Sequence, residues 1–213
     1  VRILAVDTAL GACSVAVLDG EKILAHRFEL MARGHAEALA PMVDDAMRQA
    51  GIAFASLDRL AVTTGPGTFT GQRVGLAFMR GLRVALKKPL IGVTTLAAMA
   101  TQAMEETKLS HAAAIHDAKR DEFYVETVLG DGPAILTSDK AIEMISRFGE
   151  QPFALAGTAA PAMAEKITNA MLSSVRQPDA LSVARLALHA AATDQAPRPL
   201  YLRAPDAKLP APR

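Results

Sequence analysis

The sequence predicts an α/β fold of two similar lobes, each a mixed β-sheet with helices packed on it. Three observations carry that reading. The first hundred residues parse as β-β-β-α-β-α-β-α, and three strands joined by tight turns, then alternating helices and strands, imply a mixed sheet with flanking helices. The second half repeats the opening of the first: Ala112–Asp117 (AAAIHD) parallels Ile3–Asp7 (ILAVD), each an apolar run ending in Asp. The Gly-rich turn Thr63–Gly71 (TTGPGTFTG) joins a strand to a helix.

Taken in order, Arg2–Val6 and Cys13–Leu18 are apolar strands, and Asp19-Gly20 turns the chain into a third, Lys22–Glu29. Gly34–Ala50 places Leu39, Met42, Val43, Ala46 and Met47 at helical spacing, with Gly51 as C-cap. Leu60–Thr63 is a strand. A helix follows the Gly-rich turn from about Thr70 to Lys87, and Pro89 stops it. Leu90–Val93 is a strand and Thr94–Met104 a helix. In the second half, Phe123–Leu129 runs to an Asp131-Gly132 turn, as Cys13–Leu18 runs to Asp19-Gly20. Phe153–Ala156 ends at Gly157 and feeds a helix over Ala159–Leu172. The expected division is a first lobe over 1–104, a smaller second lobe over 105–193, and a tail over 194–213. That tail holds five prolines and is expected to be extended, ordered against a partner.

Composition narrows the function classes. A chain of 213 residues, 51% hydrophobic and 21% charged, buries a core and is not disordered. A net charge of +1 supplies no broad field for nucleic acid. The single Cys13, in an apolar strand, excludes an internal disulfide and multi-Cys metal clusters. The apolar N-terminus is broken by Asp7 and reads as a strand rather than a signal peptide. No apolar run reaches the ~18 residues of a membrane span. A cytoplasmic protein is the expectation.

The duplicated pattern is that of the actin-like ATPases, sugar kinases and Hsp70 proteins (the ASKHA fold), where each lobe opens with a strand, an Asp and a hairpin facing phosphate or metal. Asp7 and Asp117 occupy those places; an Asp also caps such a turn through nearby backbone N–H groups. In the first turn Thr8 and Gly11 suit a phosphate and Leu10 does not. In the second, Lys119, Arg120, Asp121 and Glu122 would crowd a nucleotide. The Gly-rich turn lacks the Gly-Lys-Ser/Thr of a P-loop, and Gly65, Gly67 and Gly71 miss the dinucleotide spacing by one residue. What remains is a helix N-terminus, open to an anion or simply capped by Thr68 or Thr70. Asp7, Thr8, Gly65, Gly67 and Thr68 are therefore a candidate vestigial nucleotide set.

The helix that follows carries Gly71, Gly75 and Gly81, although each mid-helix Gly costs about 1 kcal/mol against Ala. Val74, Phe78, Met79 and Leu82 add an apolar face. With His35, Leu39, Met42, Val43 and Met47 of the preceding helix, these residues make either core or a docking surface for another subunit. Arg73, Arg80 and Lys87, with Arg83 beside them, form a basic stripe that is either solvated or phosphate-contacting. The five histidines show no His-x-x-x-His spacing, and no Ser nucleophile elbow or Cys–His pair stands out.

At ILAVDTALGACSVAVLDG, RGHAEALAPMV, TTGPGTFTGQRVGLAFMRGL and IGVTTLAAMA the chain resembles the bacterial TsaB (YeaZ) family. DAKRDEFYVE and PRPLYLR resemble that family's second-lobe and C-terminal segments. The resemblance implies an actin-like fold and a non-catalytic subunit. Such a subunit pairs with its catalytic paralogue TsaD, and with the ATPase TsaE, for threonylcarbamoyl transfer to the adenosine beside the tRNA anticodon. It implies docking through the first-lobe helices, self-pairing through the same surface, and tRNA met only indirectly. No cofactor is expected on this chain; ATP or ADP and metal belong to TsaD and TsaE. Gln72 stands where the family usually has an apolar residue. The rival expectations are a small-molecule kinase or ATPase using Asp7 with Mg²⁺, and a metalloprotease.

Overall fold

The computed structural model describes residues 1–191 and 194–203. Its first sheet begins with the antiparallel meander β1 (Arg2–Asp7), β2 (Ala12–Asp19) and β3 (Lys22–Leu30). Helix α1 (His35–Ala50) then leads to β4 (Arg59–Thr63), helix α2 (Phe69–Leu86), β5 (Leu90–Val93) and helix α3 (Thr95–Thr107). β4 lies parallel to β1, and β5 parallel to β4, giving the order β3-β2-β1-β4-β5.

The second sheet repeats this plan strand for strand. β6 (Ala112–Asp117), β7 (Glu122–Thr127) and β8 (Ala134–Thr137) form the meander. Helix α4 (Ser138–Ile145), β9 (Phe153–Ala156), α5 (Ala160–Ala164), β10 (Ala170–Leu172) and α6 (Ala180–His189) follow, in the order β10-β9-β6-β7-β8. The sequence signal for duplication thus extends to every element. The helix expected over Ala159–Leu172 is corrected: α5 ends at Ala164, Asn169 turns left-handed (φ 63°), and residues 170–172 pair parallel with β9.

Amphipathic α1 and α2 cover one face of the first sheet. Leu39, Met42, Val43, Met47, Leu76 and Met79 pack there on Leu4, Val6, Val15 and Val62. α4 and α5 do the same on the second sheet, with Phe148, Phe153 and Met163 in its core. The third helix of each repeat crosses over. α6 packs through Ala180, Val183, Ala184 and Ala187 on Ile3, Ala5 and Ala16 of the first sheet. α3 packs through Leu96, Met99, Ala100 and Ala103 on Ala112, Ala114 and Ala154 of the second. Small residues let the two helices lie side by side between the sheets. A cut at 104 or 193 therefore divides the sequence but not the packing, since each lobe is completed by a helix from the other half.

The C-terminal segment is also corrected. Residues 194–203 lie against this chain itself, along α2 and the end of β5, with Leu200 N–H donating to the Thr64 carbonyl (2.8 Å) and Gly92 in contact with Pro197. Residues 204–213, the rest of the expected tail, lie outside the described residues.

Candidate functional site: the interlobe turns and the outer face of α2

The turn from β1 to β2 is largely buried, with Thr8, Ala9 and Leu10 in the interior and Gly11 partly exposed. Asp7 is fully buried, and its Oδ1 accepts from the Thr63 hydroxyl (2.5 Å) and the Ala9 N–H (3.2 Å). Its Oδ2 has no partner among the described residues. Desolvation pushes the Asp7 carboxyl up to about 7, with Asp179 nearby adding a smaller repulsion. Thr8 makes the decisive contact. Its hydroxyl donates to the Gly71 carbonyl (2.7 Å) and accepts from the Gly75 N–H (3.0 Å), so it stands inside the i→i−4 ladder of α2. A Cβ on Gly75 would sit 2.8 Å from that hydroxyl oxygen, and one on Gly71 2.3 Å from the Thr8 carbonyl oxygen. Both glycines exist to admit this turn.

The Gly-rich turn closes over the same loop. The Thr68 N–H donates to the Ala9 carbonyl (2.8 Å), the Thr68 hydroxyl caps the Gly71 N–H (3.0 Å), and a Cβ on Gly67 would lie 2.4 Å from Ala9 O. His35, at the start of α1, bonds the Leu10 carbonyl (3.0 Å). Gln177, from the connection between β10 and α6, accepts from the Gly11 N–H (2.7 Å). Asp7, Thr8, Gly67 and Thr68 of the candidate nucleotide set are thus brought together, with Thr8, Gly67 and Thr68 engaged around one closed turn. Gly65 departs from the set: it faces Gln72 and the Leu200 carbonyl, and begins a cis peptide to Pro66. Cys13 is buried beneath, its thiol pushed up to about 12 by desolvation.

The corresponding turn of the second lobe is open. Lys119, Arg120 and Asp121 all adopt left-handed backbone (φ 66°, 59° and 56°). Asp117 accepts from the Lys119 backbone N–H (2.8 Å) and pairs with its ammonium (2.7 Å), which holds the carboxyl below its ordinary range. Arg203 reaches this turn from the C-terminal segment, donating to the Ala118 and Lys119 carbonyls and pairing with Glu122.

The expected docking residues split. Leu39, Met42, Val43, Met47 and Met79 are core beneath the helices, at most 6% exposed. Gly71, Gly75 and His35 serve the β1–β2 turn. Val74, Phe78 and Leu82 are half-buried against that core. The outward apolar stripe instead runs Val74, Ala77, Phe78, Gly81, Val84 and Ala85, with Val84 73% exposed. Sequence reasoning missed Ala77, Val84 and Ala85, although their helical spacing and the absence of any acidic residue in α2 are visible there. The outward side of α1 is polar, with Arg48 pairing Asp44 and Asp45.

The basic stripe is neither simply solvated nor free. Arg73 stacks 3.5 Å from the Phe69 ring and bonds the Tyr201 hydroxyl (2.7 Å). Arg80 bonds the Pro197 carbonyl, and Arg83 the Asp194 carbonyl (2.5 Å each). Among the described residues no three His, Cys, Asp or Glu side chains group closely enough to hold a metal, and no helix is long and apolar enough to cross a membrane.

A family model described as "TsaD: tRNA N6-adenosine threonylcarbamoyltransferase" matches residues 28–145. The Escherichia coli protein "tRNA threonylcarbamoyladenosine biosynthesis protein TsaB" is 41% identical over 123 residues, 58% of this chain and 53% of that protein. YeaZ from Pseudomonas aeruginosa superposes with a TM-score of 0.81 at 32% identity, over 94% of this chain and 99% of its own. The chain belongs to the TsaB (YeaZ) family. The match to the E. coli TsaB spans about half of that relative's length, whereas the structural match to YeaZ runs the whole way. An activator of 2-hydroxyisocaproyl-CoA dehydratase from Clostridium difficile, with bound ADPNP, shares the fold alone (TM-score 0.53, 12% identity, 88% of this chain and 94% of its own). TsaB architecture is thus the actin-like, duplicated α/β fold.

Proposed function

We propose that this chain is a non-catalytic subunit in the synthesis of threonylcarbamoyladenosine on tRNA, docking on a TsaD-type catalytic paralogue in the cytoplasm, with a TsaE-type ATPase completing the assembly. The names of its TsaB relative and of the family model point to that pathway. The observation that carries the subunit reading is the outward stripe of α2. It is apolar and lined by small residues; Ala77, Gly81, Val84 and Ala85 are exposed, with Val74 and Phe78 half-buried beside them. Small side chains let a second helix approach closely, and exposed apolar area of this kind marks an interaction site. A second copy would meet the same stripe when no paralogue is present. The β1–β2 turn supports the non-catalytic half of the reading, because it occupies two of the N–H donors at the start of α2, those of Thr68 and Gly71 being bonded within the chain.

Gly81 gives the cleanest test, since a Cβ there meets nothing within 4 Å. Gly81→Arg is expected to fold normally and to abolish co-purification with the TsaD-type partner and tRNA modification by the reconstituted set. Retained assembly with Gly81→Arg would falsify the placement. The rival ATPase reading requires ATP–Mg²⁺ turnover by the chain alone, which calorimetry and phosphate release measure directly.

A further inference from the structure

The basic side of α2 points to a second surface. Beside the apolar stripe, one flank of the helix carries Phe69, Arg73, Arg80, Arg83 and Lys87, followed by Lys88. No acidic residue lies in α2, and the segment 194–203 docked along this flank adds Arg198 against a single acid, Asp194. Arg80, Arg83 and Arg198 line one open groove of about 590 Å³ with Gln195 and Ala196.

The partners of these arginines matter more than their number. Arg73 rests on two aromatic rings and a phenol, while Arg80 and Arg83 bond backbone carbonyls. Among the described residues none of the three pairs with a carboxylate. Among the described residues their positive charge is oriented by neutral groups and met by no carboxylate. A guanidinium has five donors, so each keeps several for a ligand. At the head of the strip Phe69 (62% exposed) and Tyr201 (45% exposed) stack with ring centroids 6.1 Å apart. Exposed aromatics beside fixed arginines are the arrangement that stacks unpaired bases and tracks a phosphate backbone.

We propose that this flank, from Phe69 and Tyr201 to Lys88, binds single-stranded or looped RNA. The strip follows a helix of 18 residues, about 27 Å, long enough for several nucleotides. It goes beyond the subunit reading and does not require it, because the flank belongs to this chain alone. A bulk charge of +1 conceals it, since the acids that balance these cations lie elsewhere on the molecule.

The test is fluorescence anisotropy of the full chain with labelled oligo(U), across a salt series. Arg198→Ala with Lys88→Ala is expected to weaken binding about tenfold and to flatten the salt dependence, each lost phosphate contact removing roughly 0.7 from the log–log slope. Phe69→Ala is expected to weaken it about fivefold or more with the slope unchanged. Circular dichroism checks that both variants fold, and the uncharged Gly81→Leu, on the apolar stripe, should bind like the parent. Parental affinity and slope in both folded variants overturn the proposal. So does absence of oligo(U) binding, or tighter binding of labelled poly-glutamate, which would make the flank an acidic-protein site.

Discussion

Asp7 and Asp117 hold the same place in the two lobes, the last residue of a first strand before its hairpin turn, and their surroundings have diverged. Around Asp7 the turn has been taken into the core: α2 opens its ladder to Thr8, and Gln177 closes the loop from the other half. The carboxyl is buried and titrates near 7. Around Asp117 the turn stays at the surface, with charged residues in left-handed backbone and Arg203 laid across it. There the carboxyl is held low by Lys119. Equal position in a duplicated fold fixes where an Asp points; what packs over the turn decides its chemistry. In this chain one of the two equivalent turns is a buried structural element, and the other a surface loop bonded by a distant arginine.

The largest way to break the first turn is through the glycines beneath it. Gly75→Leu should drive a side chain into Thr8 and separate the turn from α2. Overpacking alone costs about 1–3 kcal/mol, and the two lost hydrogen bonds about 1 kcal/mol each, so roughly 3 kcal/mol or more is expected in urea unfolding. Thr8→Val, which keeps the shape and removes the hydroxyl, should cost about 2 kcal/mol by leaving the Gly71 carbonyl and the Gly75 N–H unpaired. Gly81→Leu, six residues along the same helix and open to space, should instead stabilise the chain by about 0.5–1 kcal/mol, because it removes a mid-helix glycine. Equal losses at Gly75 and Gly81 would remove Thr8 from the account.

The two carboxyls should respond to pH in opposite directions. Asp7 titrates near 7 in the folded chain against 3.8 unfolded. Between those values the unfolded state has released the proton that the folded state keeps, so stability falls as pH rises from about 4 to 7 and is level above. The loss is at most roughly 4 kcal/mol. Asp7→Asn keeps an acceptor for Thr63 and should remove that slope, making the variant more stable than the parent at pH 8 but not at pH 4. For Asp117, with a lowered carboxyl, the contribution is present above its unfolded value and is lost as pH falls through the folded one. That term is small, because the side chain is 41% exposed. Unfolding curves of both Asn variants from pH 4 to 8 check the signs.

These contrasts also show what was legible in the residues. The strands of the first lobe, the two Asp-ended strands and the duplication could be read because alternation, apolar runs and Asp-Gly turns are local signals. β8, α4 and α6 went unread: β8 is four residues long, and α6 is so rich in Ala and Leu that its inward side barely differs from its outward side. The methionines of α1 were recognised as one face of a helix, but periodicity does not say whether a sheet or a partner covers that face. Gly71 and Gly75 demanded a reason, and the reason was Thr8, more than sixty residues earlier. The arginine spacing was equally plain, yet its partners arrive with the C-terminal segment more than a hundred residues later.

The smallest effects test the open turn. Non-glycine residues in left-handed backbone carry a local cost that glycine does not. Asp121→Gly should therefore stabilise the chain by about 0.5–1 kcal/mol. Arg203→Ala removes the donors that fix the Ala118 and Lys119 carbonyls, so it should loosen the same turn and speed tryptic cleavage after Lys119 and Arg120 several-fold. If Arg203 acts by holding this backbone in place, Asp121→Gly should restore part of the protection in the double variant, since a turn that prefers the left-handed form needs less holding. If cleavage in the double variant matches that of Arg203→Ala alone, Arg203 anchors only the C-terminal segment, and the second turn keeps its shape through Asp117 and Lys119 unaided.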